Sequence, residues 1–165
     1  MTTQAQRDHM ARSMDVLVRY KRRVHYAQRR PMTTMRIRPG HLLTAILRPG
    51  GITMDCSESV TLICHLAGLR DPNGRNYDGY GFTGTLLGYL EHYDDPARAK
   101  VGAMVAFGGG AGEHVAMVRR PDSVNPMLFS HGTEADPNIY PLSTLKAAFP
   151  GQPHTFLSIA KLGFG

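Results

Sequence analysis

Met10, Met14, Leu17, Val18, Tyr20 and Val24 fall roughly at helical spacing, with Arg and Lys on the positions between them. That pattern predicts an amphipathic helix over residues 4–28, ended by Pro31. Between 31 and 51 no period holds. Pro39-Gly40 and Pro49-Gly50-Gly51 read as turns, with one short helical turn over 41–47 between them. The clearest start signal lies at Asp55. Asp55 followed by Glu58 matches a capping box. Val60, Ile63, Cys64 and Ala67 then recur at helical spacing, and Gly68 is a natural stop. RDPNGRNYDGYGFTG reads as a loop, and a third helix is predicted from Thr83 or Thr85 to His92.

After Pro96 the pattern becomes strand-like. The apolar runs 101–107, 113–120 and 127–131 are separated by GGGAG and PDSVNP turns. A short helix is predicted over 143–149, and 154–162 closes the chain as a fourth strand or edge. Helices first and short strands afterwards predict an α+β fold. N-terminal helices would pack on an antiparallel sheet of about four to six short strands. At 165 residues, without repeats or an internal linker, the chain reads as one domain over 1–165.

Composition narrows the classes. The hydrophobic fraction of 42% and charged fraction of 19% are those of a soluble globular protein. No stretch approaches the roughly 20 apolar residues of a membrane span, and the first residues lack the apolar core of a signal peptide. The two cysteines, Cys56 and Cys64, would stand about 12 Å apart on one helix. A disulfide needs Cα atoms within about 7 Å, so two free thiols and a reducing compartment are expected.

The net charge of +6 is unevenly spread: 11 of the 19 Lys and Arg lie in residues 1–48, with only Asp8 and Asp15 beside them. This basic, largely helical N-terminal segment suits a polyanion, whether nucleic acid, an anionic lipid surface or an anionic cell wall. It also suits a plain solvated helix face.

Cys56 is open to three readings: nucleophile, metal ligand or small buried residue. In the first turn of a helix it would sit beside unpaired amides and the positive dipole end, which lowers a thiol pKa. No CxxC, HxxxH or HExxH accompanies it, so the zinc reading lacks ligand spacing. Cys64, two turns deeper, reads as a buried hydrophobe. A nucleophilic cysteine needs a base, and the base needs a group to orient it. Of the eight histidines, His65 is too far along the helix. His114 opens a strand directly after the Gly turn, and His131 ends the next strand. The pattern therefore nominates Cys56 as nucleophile, His114 as base and His131 as its orienting neighbour.

The order of these pieces resembles the NlpC/P60 cysteine peptidases. The family's tyrosine, D-C-S-G-F/Y-V, G-D-L-V-F-F and H-V-G-I-Y correspond to Tyr26, to DCSESV at 55–60, to GAMVAF at 102–107 and to HVAMV at 114–118. HYAQRRPM, DPNGRNYDGYGFTGTL and SHGTE are similar to motifs of a bacteriophage subset of that family. The family glycine after Asp-Cys-Ser is Glu58 here, and its Gly-Asp is Gly102-Ala103.

The resemblance implies a papain-like fold and a Cys56–His114–His131 thiol mechanism. Tyr26 would contribute near the oxyanion, with Asp55 supporting the site; Tyr26 as a core aromatic is the other reading. The implied function is that of a monomeric peptidoglycan hydrolase, cleaving an amide bond of the cell-wall peptide without metal or cofactor. The chain would be made in a host cytoplasm without a signal peptide and act on the wall. The alternative is a basic phage structural or nucleic-acid-binding protein without activity. Against nucleic acid stands the lack of an aromatic platform or reader motif.

Overall fold

The computed structural model describes residues 1–132 and 136–163. Its elements run in chain order as α1 (Gln4–Arg19), β1 (Val24–Tyr26), α2 (Leu42–Leu47), β2 (Ile52–Met54), α3 (Cys56–Leu66), α4 (Thr83–Tyr89) and β3 (Glu91–Tyr93). Then follow β4 (Met104–Phe107), β5 (His114–Arg120), β6 (Met127–Ser130), β7 (Asn138–Pro141), α5 (Leu142–Ala148) and β8 (His154–Ser158). The architecture is α+β. Six antiparallel strands form one sheet in the order β3-β8-β4-β5-β6-β7, and β1 and β2 form a separate parallel pair.

Strand alternation divides the core. Met104, Ala106, Val115, Met117, Phe129 and Leu157 pack with Met10, Met14 and Leu17 of α1 and with Val60, Ile63 and Cys64 of α3. On the opposite face Val105, Phe107, Ala116, Val118, Leu128 and Phe156 pack with Leu142 and Leu145 of α5. Each buried Val, Leu, Ile, Phe or Met among them contributes about 1.5–3 kcal/mol. The sheet is therefore covered on both faces, and α3 is buried along nearly its whole length. Buried polar groups on α3, Ser57, Glu58 and Thr61 among them, need partners inside the protein.

Several boundaries differ from the sequence reading. The first helix stops at Arg19, not 28. Lys21–Arg23 form a 3₁₀ turn, and Val24–Tyr26 join β2, Val24 opposite Ile52 and Tyr26 opposite Met54. Gly51 has φ +66°, and a Cβ there would collide with the Arg23 carbonyl. Thus the β1–β2 association takes residues from a pattern that propensity alone extends as helix. Residues 1–48 are accordingly basic but only partly helical. The third helix stops at Tyr89, because Glu91–Tyr93 pair with β8. The C-terminal strand β8 lies inside the sheet, between β3 and β4, rather than at its edge. β7 and the β1–β2 pair carried no alternating signal long enough to read.

At Asp55 only half of the expected capping box forms. The carboxylate accepts the Glu58 amide at 2.7 Å, but the Glu58 side chain turns away to Thr34. Among the described residues no helix is long and apolar enough to cross a membrane.

Candidate active site

Cys56 is the first residue of α3, and its side chain belongs to the cluster between α3 and the sheet. Asp55 sets this helix start. One of its oxygens accepts the Glu58 amide and, at 2.9 Å, the Ser57 hydroxyl. The other faces the Arg30 guanidinium at 2.9 Å. Arg30 also donates to Ser57 Oγ at 2.8 Å and to the Gly81 carbonyl at 2.7 Å. Asp55 and Arg30 thus tie the N-terminus of α3 to two loops.

Four groups converge on the thiol. The Val115 and Ser57 amides, the Thr83 hydroxyl and the Tyr26 phenol all lie near the sulfur. Val115 is free to face it for a topological reason. The β5–β6 pairing starts at Met117 and Phe129, leaving the first residues of β5 unpaired with β6. Even with these donors, burial pushes the Cys56 thiol above its ordinary value. The expectation of a lowered thiol pKa is corrected here: desolvation of a thiolate outweighs the helix terminus. Cys64 is fully buried, and burial pushes its thiol up further.

His114 opens β5, immediately before the Val115 amide. Its side chain follows the alternation of Ala116 and Val118, and its Nε2 lies 2.8 Å from Ser130 Oγ. The Phe149 ring stacks on the imidazole at 5.1 Å and 14°. This apolar cover brings the His114 pKa down to about 4, with His131 adding to the effect. Alternation places His114 with Ala116 and Val118 on the α5 face of the sheet, whereas Cys56 packs with Val115 on the α3 face. The expectation that the His114 ring reaches the Cys56 sulfur is corrected here, and thiol and imidazole both rest neutral.

His131 does not hold the His114 ring. Alternation along β6 puts Ser130 on the side of His114, and His131 turns the other way. His131 Nε2 lies 3.3 Å from the His25 carbonyl, so that nitrogen carries the proton. Its Nδ1 is buried and unpartnered. The ring sits edge-on to Tyr26 at 5.3 Å, with Asp55 also nearby. Burial holds its pKa below the usual histidine range, against the pull of the His25 and Met54 carbonyls. His131 thus shares with Phe129 the face of the sheet on which Cys56 packs and neighbours Tyr26, whereas Ser130 and His114 lie together on the opposite face. Thr133 and Glu134 of the SHGTE motif lie outside the described residues.

The loop DPNGRNYDGYGFTGTL has a positioning role. The buried Asp71 carboxylate accepts the amides of Asn73, Arg75 and Tyr77 at 2.9, 3.1 and 2.8 Å. Asn73 in turn donates to Thr61 of α3 at 3.0 Å and accepts from Thr85 at 2.7 Å. This lattice delivers Tyr80, Phe82 and Thr83 to a cavity of about 340 Å³ above Cys56. Gln28, Arg30, Glu113 and the Gly turn complete its walls. Gly112 is required there: φ is +74°, and a Cβ would strike Thr83.

Sequence reasoning missed Arg30, Thr83 and the Val115 amide. It also missed that His114 and His131 face opposite sides of the sheet, with His131 on the Cys56 side. Among the described residues no cluster of three or more His, Cys, Asp or Glu is placed to hold a metal ion. No protein-family model, curated protein or solved structure matches the chain.

Proposed function

We propose that the chain is a cysteine hydrolase that cleaves an amide bond of the peptidoglycan peptide, with Cys56 as nucleophile and His131 as general base. One observation carries this reading. A thiol in the first turn of a buried helix lies beneath an open cavity, and on the same face of the sheet the His131 imidazole, its Nδ1 unpartnered, stands beside Tyr26, which also neighbours the thiol. The motif order shared with NlpC/P60 peptidases supports the same reading, and the α+β fold is compatible with it.

The chemistry follows from the resting protonation states. As Cys56 sulfur attacks the carbonyl carbon, its proton passes to His131, whose Nδ1 is the free ring nitrogen. The developing oxyanion meets the Cys56 amide, which as a first-turn N–H has no partner within the helix. The Tyr26 hydroxyl lies on the same side as the thiol. The imidazolium then protonates the leaving amine as the C–N bond breaks, leaving a thioester. Water, deprotonated by the same histidine, attacks the thioester and restores the thiol. The His25 carbonyl and the Tyr26 ring hold the His131 imidazole through both transfers. In this reading the protein acts as a monomer, made in the cytoplasm of a phage host and acting on the wall.

The test is digestion of purified peptidoglycan followed by mass spectrometry of the fragments. The protein should release new amine and carboxyl termini from one peptide bond type, and Cys56→Ala should release none while keeping its fold. Undiminished cleavage by Cys56→Ala would overturn the proposal.

A further inference from the structure

A second cavity, larger than the one above Cys56, lies elsewhere on the chain. A cleft of about 610 Å³ opens between the Thr33–Arg36 turn, α2 and β2. This volume lies in the range of roughly 300–1,000 Å³ typical of small-molecule sites. Its walls carry Arg29, Arg36, Arg38 and Arg48, with His41 and Thr44 between them. All four arginines are exposed, and among the described residues none is paired with a carboxylate. No Asp or Glu occurs in the chain between Asp15 and Asp55. Four uncompensated guanidinium groups around one concavity repel each other in the empty protein. A phosphate group relieves that repulsion, because its oxygens match the planar guanidinium fork in a bidentate way.

The cleft is also built rather than incidental. Glu58, two residues beyond Cys56, is buried, and its Oε1 accepts the Thr34 amide at 3.0 Å and the Thr34 hydroxyl at 2.6 Å. The turn that carries Arg36 is thereby fastened to the first turn of α3. Where the NlpC/P60 motif that this stretch resembles has glycine, the Glu58 side chain does this fastening.

We propose that this cleft is a second binding site, for the phosphate groups of a phosphodiester-linked sugar or polyol polymer of the wall. The wall as source rests on the hydrolase reading above; the phosphate chemistry rests on the cleft alone. Nucleic acid fits it less well. His41 is the only ring in the lining, which offers no stacking platform for bases. The surface is concave and presents no helix or ribbon to a duplex groove.

The test uses the whole chain carrying Cys56→Ala, so that the wall is not consumed. Binding is measured to intact walls, to walls stripped of phosphodiester polymers with hydrofluoric acid, to inorganic phosphate and to duplex DNA. Expected is binding to intact walls about tenfold tighter than to stripped ones. The triple variant Arg36→Gln/Arg38→Gln/Arg48→Gln should lose that advantage and show a shallower salt dependence. Inorganic phosphate should compete only weakly, as a single group of the polymer. Equal binding to intact and stripped walls, unchanged binding by the triple variant, or tighter binding to DNA than to the intact wall each overturns the proposal. Cleavage of stripped walls by the unmodified protein tests the hydrolase reading separately. Cleavage without a binding difference removes only the second site, and a binding difference without cleavage removes only the hydrolase.

Discussion

His114 Nε2 lies 2.8 Å from Ser130 Oγ, under the stacked ring of Phe149. Both residues lie on the α5 face of the sheet, opposite the face on which Cys56 packs, while His131 shares the Cys56 face. The two histidines should therefore separate in steady-state kinetics on a soluble wall peptide. His131→Ala should lower kcat by about a hundredfold or more, and His114→Gln should keep most of it. Loss of activity in His114→Gln with full activity in His131→Ala would overturn this assignment.

The buried thiol predicts slow chemistry toward small electrophiles. Cys56 rests as a thiol whose pKa burial holds above the ordinary 9.0. Alkylation by iodoacetamide should therefore accelerate about tenfold per pH unit through neutral and mildly alkaline pH, following the thiolate fraction. Cys64, with no exposure at all, should stay unmodified until the protein unfolds. A Cys56 rate that levels off below about pH 8 would instead indicate a thiolate–imidazolium pair.

Stability should fall in mild acid. Unfolded, His114 titrates near 6.5; folded, burial brings it to about 4. Below pH 6.5 the unfolded chain takes up a proton that the native state refuses, so stability drops as pH falls through this window and levels off beneath it. For this one group the span is about 3 kcal/mol, and His131, lowered in the same direction, adds to it. Urea denaturation at neutral pH and near the lower end of the window measures the difference. His114→Gln should flatten the dependence; an identical slope in that variant would contradict the assignment.

Glu58 offers a cleaner separation of charge from hydrogen bonding. Burial raises its pKa, against the Thr34 donors that favour the carboxylate. Glu58→Gln keeps an acceptor for Thr34 and removes the desolvated charge, so its thermal midpoint at neutral pH should equal or exceed that of the parent. Glu58→Ala leaves the Thr34 amide and hydroxyl unpaired in the interior, which costs about 1–3 kcal/mol for each buried group. Thermal melts of the two variants that coincide would show that Thr34 does not depend on this acceptor.

Much of the fold was legible before any coordinates. Helical spacing and Asp55 located the start of α3. The apolar runs after Pro96 located β4, β5 and β6, and their turn residues implied antiparallel pairing. The chemical candidates Cys56 and His114 were legible for the same local reason: a capping aspartate and a glycine turn mark where an element begins.

The rest was decided by tertiary structure. A three-residue strand such as Val24–Tyr26 has too few positions to show a period, and it exists because Ile52–Met54 lies beside it. That His131 and not His114 shares a face with Cys56 depended on strand register, which adjacent letters do not encode, since neighbouring residues on a strand face opposite ways. The protonation state of Cys56 depended on how completely α3 is buried, a sum over distant segments that overrides the local field of one helix turn. In this protein the sequence by itself determined where elements start and which groups can do chemistry. Packing determined which way those groups face and what charge they carry, because both depend on neighbours brought from elsewhere in the chain.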